Sequence, residues 1–135
     1  MTLHVRWLGR VPYREALALQ TAMFAGEHDH LLLLEHGHVF THGPRADLAA
    51  NIKVPPDEVG ASLVAVKRGG DVTYHGPGQL VGYPILSVPN SLGAAEHVAA
   101  IQSVVIDTLT DLGLSDVGVL DEFPGVWVGV STATP

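Results

Sequence analysis

The residues best suited to chemistry lie in one stretch, Arg68–Gln79, which reads Arg-Gly-Gly-Asp-Val-Thr-Tyr-His-Gly-Pro-Gly-Gln. Its glycines let the backbone turn sharply or lie close to a ligand. Arg68 supplies a permanent cation, while Thr73, Tyr74 and His75 supply hydrogen-bonding groups. Because side chains alternate along a strand, Thr73 and His75 are expected on one face. Together these groups suit an acyl carbonyl, a carboxylate or a phosphate. The alternative is a tight glycine-rich hairpin with incidental polar residues.

The histidines form a second candidate site. Five of the eight lie between His28 and His42. His36 and His38 are expected on one strand face, beside Glu35, and imidazole and carboxylate groups can together bind zinc. No helical His-Glu-x-x-His motif accompanies them. Polar residues at strand ends and turns are therefore the preferred interpretation, and a histidine-rich metal-binding domain stays as an alternative.

The composition narrows the possible functions. The chain has 135 residues, of which 47% are hydrophobic and 16% charged. This balance excludes an ordinary disordered tail. Seven basic residues stand against fourteen acidic ones, giving a formal charge of −7. Because Lys and Arg clusters drive phosphate binding, neither nucleic acid nor an anionic membrane is an expected partner.

Cysteine is absent from the sequence. Disulfides, cysteine-ligated zinc and a thiol nucleophile are therefore excluded within these residues. No segment has the roughly 18 consecutive apolar residues of a membrane span, and no signal peptide is recognisable at Met1. We expect a cytoplasmic protein that forms one domain over residues 1–135.

Hydrophobic periodicity indicates which elements position these residues. Leu3, Val5 and Trp7 alternate as in a strand that Gly9 ends, and a helix is expected over residues 13–25. Further strands are predicted over residues 30–35, 61–67, 72–74, 80–86, 118–120 and 126–130, with a loop over 43–56. Pro84 predicts that its strand lies at a sheet edge or contains a bulge.

A second helix carries the clearest apolar stripe, expected to be core: Val98, Ile101, Val105, Leu109 and Leu112. Gly113 suits the end of this helix. Trp127, in the last predicted strand, is also expected in the core. Strands and helices mix without strict alternation, so the fold class is α/β or α+β.

Arg68–Gln79 resembles the signature of the lipoyl(octanoyl) transferases, R-G-G-x-x-T-[FY]-H-G-P-G-Q, at every fixed position. Tyr13–Ala16 with Gln20 is similar to the first helix of that family. Leu32–His36, followed by Val39–Thr41 and Gly43, resembles its next conserved segment. Leu80–Ile85 and Gly125–Val128 resemble later strands, so the similarity spans Tyr13 to Val128.

The resemblance implies the mixed sheets and flanking helices of the biotin and lipoate ligase catalytic domains. It implies transfer of octanoyl from the phosphopantetheine of an acyl carrier protein to a lysine of lipoyl domains, as in 2-oxoacid dehydrogenases and the glycine cleavage H protein. No further cofactor is implied. The substrate-binding residues it implies are Arg68, Gly69, Gly70, Asp71, Val72, Thr73, Tyr74 and His75.

The sequence departs from the family at its catalytic pair. The family uses a Lys and a Cys beyond the segment that resembles Gly125–Val128, but here no Lys follows Lys67 and there is no Cys. Ser131, Thr132 and Thr134 carry hydroxyl groups without a base placed beside them by spacing. We therefore expect a C-terminally truncated domain without catalytic residues, inactive alone. The alternative is a non-catalytic acyl- or lipoyl-binding fragment that a second chain completes.

Overall fold

The computed structural model describes residues 2–130. Within them the chain forms two compact units that divide after Ser87. In the first unit the strands are β1 (Leu3–Arg10), β2 (Asp29–Glu35), β3 (Val39–His42), β4 (Ser62–Ala65), β5 (Val72–His75) and β6 (Val81–Ile85). Its helices are α1 (Tyr13–Phe24) and the short α2 (Leu48–Asn51). The second unit contains α3 (Ala94–Asp111), β7 (Val117–Leu120) and β8 (Phe123–Val128).

The first sheet has the order β1-β2-β6, with β1 parallel and β6 antiparallel to β2. Its central strand is the leucine run, in which Leu32 and Leu34 are completely buried. Leu34 packs with Ala16 of α1 and Val81 of β6, forming the core of this unit. The position of β6 at the sheet edge confirms the prediction from Pro84.

Gly9 does not end the first strand, contrary to the sequence prediction. The strand continues to Arg10, and its register with β2 shifts between Trp7 and Arg10. Gly9 has a φ of +67°, which only glycine adopts readily. The glycine therefore permits an irregularity within the strand, two residues before the chain leaves β1 for α1.

The second sheet has the order β4-β3-β5, with β4 parallel and β5 antiparallel to the central β3. Val39 and Thr41 of β3 are buried, as is Val64 of β4. The register places Thr41 opposite Thr73 and Val39 opposite His75. Thr73 and His75 thus occupy alternate positions of β5, which confirms that they share a face.

The connection after β3 is more ordered than a loop. Alongside α2 it contains a 3-10 helix over Pro56–Val59. The Asp47 side chain caps α2 by accepting a hydrogen bond from the Ala50 amide at 3.0 Å. Short helices of one turn leave little hydrophobic periodicity, so the sequence pattern did not reveal them.

In the second unit, α3 forms where the apolar stripe predicts it, and Gly113 follows it with a φ of +96°. The expectation that this stripe is core was wrong, because no residue of α3 is buried. Trp127 is likewise 43% exposed. A two-stranded sheet is the surface available to α3 within this unit, and two strands cannot enclose a helical stripe.

The observed mixture of small sheets and helices confirms the α/β fold class. The expectation of one partial domain stays a prediction. Among residues 2–130, no helix combines the length and the apolar character that crossing a membrane requires.

Candidate functional site

The structure divides the Arg68–Gln79 stretch between two ends of one strand. Arg68–Asp71 forms the loop that enters β5, and His75 is the last residue of that strand. With a rise of about 3.4 Å per residue, the three steps from Val72 to His75 span roughly 10 Å. The cationic end and the imidazole end of the motif therefore lie apart, and each has its own neighbours.

At the first end, the Arg68 guanidinium joins β3 to β5. Its Nη2 donates to the Thr41 carbonyl at 2.9 Å, to Thr41 Oγ1 at 3.0 Å and to Thr73 Oγ1 at 2.9 Å. Its Nη1 donates to the Gly69 carbonyl at 2.9 Å. Thr41 is completely buried, so the guanidinium satisfies polar atoms that water does not reach. In this arrangement Arg68 braces the sheet.

The Arg68–Asp71 loop lies directly against Gly43. A Cβ at Gly43 would lie 2.6 Å from the Gly70 carbonyl oxygen and 2.7 Å from the Arg68 carbonyl oxygen. Asp71 adds a second link to the segment after β3, because its carboxylate accepts from the Asp47 amide at 3.1 Å and from Asn51 Nδ2 at 2.7 Å. Absence of a side chain at Gly43 thus permits the loop to pack closely.

At the second end, His75 belongs to a cluster of four rings. It stacks on Tyr13 of α1 at 6.3 Å between centroids, with an interplanar angle of 12°. His36 lies 5.7 Å from His75 and 5.1 Å from Tyr13. Tyr83 of β6 completes the cluster, 5.9 Å from His36. These four rings come from different elements, so sequence spacing alone did not bring them together.

Both ring nitrogens of His36 have partners. Its Nδ1 donates to the Val11 carbonyl at 2.7 Å, since a carbonyl can only accept. In the neutral ring, Nε2 then accepts from the Tyr83 hydroxyl at 2.8 Å. Burial raises the pKa of Tyr83 to about 12, so this hydroxyl keeps its proton at neutral pH. His36 is therefore held in one tautomer.

We expect the pKa of His36 to lie below its ordinary value of 6.5, chiefly because burial disfavours the charged imidazole. The Val11 hydrogen bond opposes this shift, and the nearby His75 adds to it. The unfolded chain then binds a proton on His36 at a higher pH than the folded chain does. The contribution of neutral His36 to the free energy of unfolding is therefore fully present above pH 6.5, and it falls as the pH drops below that value. Urea midpoints measured across this range check the direction.

His30 is a necessary control for that experiment. Its pKa is also lowered, first by burial and then by His4, Arg6 and His28, while Asp29 opposes the shift. The His36→Gln and His30→Gln variants should each flatten part of the pH dependence. NMR titration that resolves His36 and His30 separately shows how much of the pH dependence each one contributes. A pKa of His36 above its ordinary value would contradict the expectation.

Tyr74 points its hydroxyl to His38 Nδ1, with which it forms a short hydrogen bond. Its ring also contacts Phe40, 5.2 Å away, and folds over Gly76, where a Cβ would collide with the tyrosine hydroxyl. Val72 is opposite His42 in the sheet. Among the predicted substrate-binding residues, Tyr74 and His75 are therefore the two that contact the aromatic side chains around the second end.

A cleft of about 460 Å³ opens beside Tyr13 and His38. This volume lies within the range of roughly 300–1,000 Å³ typical of small-molecule sites. Pro12, Val39 and Val64 contribute apolar lining, and the guanidinium groups of Arg10 and Arg14 add positive charge. Within the described part of the chain, none of Arg68–His75 lines this cleft. The motif is connected to the cleft by two lining residues. Tyr13 stacks on His75, and His38 forms a hydrogen bond with Tyr74.

His36 and His38 do not share a strand face, contrary to the prediction. They lie in the connection between β2, which ends at Glu35, and β3, which begins at Val39. His4, His28 and His30 come closer together, with ring centroids 5.5 Å apart for two of the pairs. In residues 2–130, however, no group of three or more His, Asp or Glu side chains is placed so that it could hold a metal ion. Ser131, Thr132 and Thr134 lie outside the described residues.

The sequence did not predict that several residues of the site contact one another. Thr41 and Gly43 belong to a family-like segment of the sequence, and no sequence pattern distinguishes Tyr83. The resemblance of the run that contains Thr41 and Gly43 to a segment of the family was the available signal. Their contacts with Arg68 and Gly70 cross more than 25 residues of sequence, so local patterns could not reveal them.

Comparison with known proteins places the chain in a family. The family model described as the lipoyl protein ligase A/B catalytic domain matches residues 12–131. An octanoyltransferase of Solibacter usitatus is 44% identical over an alignment of 136 positions, gaps included, that covers 93% of this chain and 60% of that protein. Octanoyltransferases of Mycobacterium bovis and Mycobacterium tuberculosis are each 42% identical over an alignment of 130 positions, gaps included, that covers 93% of this chain and 54% of theirs.

The fold also matches a solved structure. A protein from T. acidophilum described as a proposed lipoate protein ligase superposes with a TM-score of 0.74 at 18% sequence identity. The match covers 96% of this chain and 59% of that one. The chain thus spans 54–60% of the length of the curated relatives named above. These matches confirm the resemblance seen in the sequence, and the chain belongs to the family of lipoyl protein ligase A/B catalytic domains.

Proposed function

We propose that this chain is the acyl-binding part of an octanoyltransferase. The activity is transfer of octanoyl from the phosphopantetheine of an acyl carrier protein to a lysine of lipoyl domains, without a further cofactor. The observation that carries this proposal is the ring cluster around His75, which adjoins an apolar cleft at one end of the family signature. The names of the curated relatives support the same reaction.

The cleft suits a fatty acyl chain carried on a phosphorylated arm. Pro12, Val39 and Val64 line the space that the hydrocarbon would occupy, and the exposed Pro12 offers apolar surface whose burial favours binding. Arg10 and Arg14 lie at the same cleft. Guanidinium groups bind phosphate well, so these two residues would attract the phosphodiester of the arm. The Arg10 side chain is 3.9 Å from Glu35, a loose pairing that leaves it available to an anion.

The chemistry requires a nucleophile that these residues do not contain. Covalent catalysis by a thiol divides one acyl transfer into two exchanges, but the 135 residues include no cysteine. In this proposal a thiol and a lysine are supplied by polypeptide outside these 135 residues. The chain contributes the acyl site, and lipoyl domains of 2-oxoacid dehydrogenases or the glycine cleavage H protein accept the acyl group.

A chimera tests the proposal directly. Residues 1–130 would be joined to the remaining C-terminal part of the Solibacter usitatus octanoyltransferase, with which the chain aligns at 44% identity. We expect the chimera to form octanoyl-lysine on a lipoyl domain from octanoyl-acyl carrier protein. The given chain alone should stay at the uncatalysed background, because it lacks a thiol. The product is measured by intact mass of the lipoyl domain.

The complete relative serves as the positive control. A chimera that folds, shown by a cooperative melt, yet gives no octanoyl-lysine while the relative does so, contradicts the proposal. Octanoyl transfer by the given chain alone would instead show that no outside thiol is needed. A His75→Ala change in the chimera is expected to lower the rate, since this residue lies at the proposed site.

A further inference from the structure

Gln79 holds a defined position beside His75. Its Oε1 lies 2.6 Å from His75 Nδ1, and its Nε2 lies 3.5 Å from the Tyr74 carbonyl oxygen. The Gln79 amide also donates to the Gly76 carbonyl at 3.1 Å, which closes the turn after β5. The carboxamide therefore extends from a fixed backbone and faces both residues at the end of the strand.

These contacts determine which nitrogen of His75 carries hydrogen. The Tyr74 carbonyl can only accept, so the amide NH₂ of Gln79 must face it. The other end of the carboxamide, Oε1, can only accept as well, and the hydrogen between it and His75 must come from Nδ1. The reverse orientation would place two acceptor oxygens against each other. The Nδ1–H form is therefore selected.

The opposite nitrogen of His75 stays available. Among residues 2–130, His75 Nε2 has no hydrogen-bond partner, whereas both nitrogens of the neighbouring His36 are occupied. His75 is half-buried, and its ring is stacked on Tyr13, which limits its rotation. In the Nδ1–H tautomer, Nε2 presents a lone pair. Of the two histidines in the ring cluster, His75 alone can accept a hydrogen bond from a ligand.

We infer that Gln79 is a positioning residue that holds His75 in the Nδ1–H tautomer, so that Nε2 accepts a hydrogen bond from an N–H group of the bound acyl acceptor or product. The ligand part rests on the proposed function, in which octanoyl is transferred to an amine and the product is an amide. The tautomer part depends only on the contacts of Gln79 and can be measured without a substrate.

The tautomer is read from the ¹⁵N resonances of His75 at alkaline pH in the full chain. We expect Nδ1 to be protonated and Nε2 to be unprotonated. Gln79→Leu removes the acceptor at similar size and should shift the ring towards the Nε2–H form. Gln79→Glu retains an acceptor at this position and should keep His75 in the Nδ1–H form. Gln102→Leu is the matched control, because Gln102 lies in the second unit and donates to the Gly125 carbonyl.

Two results would overturn the positioning role of Gln79, one in the wild-type protein and one in the Gln79→Leu variant. A wild-type His75 in the Nε2–H form overturns it, as does an unchanged tautomer in a Gln79→Leu variant that keeps the amide spectrum of the folded chain. If Gln79→Leu fails to fold, the wild-type spectrum and Gln79→Glu still decide. A purely structural role of Gln79 would change stability and leave the tautomer as it is.

The ligand part is tested with N-methyloctanamide, which carries an N–H donor, and methyl octanoate, which has the same chain without one. Only the amide should move the Nε2 resonance. Amide binding without this movement overturns the ligand part. If neither probe perturbs any residue of the first unit, the acyl site of the proposed function fails, while the tautomer measurement still decides the role of Gln79.

Discussion

Gly43→Ala is expected to destabilise the first unit strongly, because a Cβ at this position meets backbone atoms. The Gly70 and Arg68 carbonyl oxygens would lie 2.6 Å and 2.7 Å from it. Overpacking typically costs about 1–3 kcal/mol, and the upper end applies where backbone rather than a flexible side chain must move. The free energy of unfolding by urea measures this loss. Displacement of the Arg68–Asp71 loop should appear as large amide shifts of those residues.

Gly69→Ala is the matched control. Gly69 belongs to the family signature, yet a Cβ there meets nothing within 4 Å, and its φ lies outside the left-handed region. We expect the free energy of unfolding to change by less than about 0.5 kcal/mol, as for an ordinary surface substitution. The glycine outside the signature should thus be the sensitive one. Equal losses for both variants would contradict the importance of the contact between Gly43 and the loop.

Arg68→Met has the second large expected effect. The change removes the donors to Thr41 and Thr73, and Thr41 is completely buried. Leaving a buried acceptor without a partner costs about 1–3 kcal/mol. We therefore expect a loss near the upper end of that range in urea unfolding. Arg45→Met is the control, because Arg45 is exposed and its loss should be nearly neutral.

A double-mutant cycle of Arg68→Met and Thr41→Val separates the hydrogen bond between Arg68 and the Thr41 hydroxyl from the effect of removing the Arg68 charge on stability. If Arg68 acts on the Thr41 hydroxyl, the two changes together should cost less than their sum, with a coupling of roughly 1 kcal/mol. Additive losses would show that the hydrogen bond to Thr41 Oγ1 contributes nothing.

The sequence was informative where structure is local. Alternation and helical spacing placed β1, α1 and α3, Pro84 indicated an edge strand, and Gly113 indicated a helix end. Periodicity shows which side chains share a face, but it does not show what covers that face. For this reason the exposure of the α3 stripe and of Trp127 was not predicted.

In the candidate site, too, local features could be predicted from the sequence and tertiary contacts could not. The residue types of Arg68–Gln79 and their alternation along β5 could be read from the sequence. The contact of Gly43 with Gly70 and the bonds from Arg68 to Thr41 depend on the pairing of β3 with β5. The ring cluster requires α1, the β2–β3 connection, β5 and β6 together. Such contacts arise only from the tertiary fold.

The separation of the signature along β5 has a consequence for how homologues diverge. Arg68–Asp71 maintains the architecture of a sheet, whereas His75 and Gln79 present a hydrogen-bonding surface. We therefore expect substitutions in the two halves of the pattern to have different effects. A distant homologue that retains only the first half would preserve the scaffold with altered ligand specificity. One that retains only the second would need another residue to replace the lost brace.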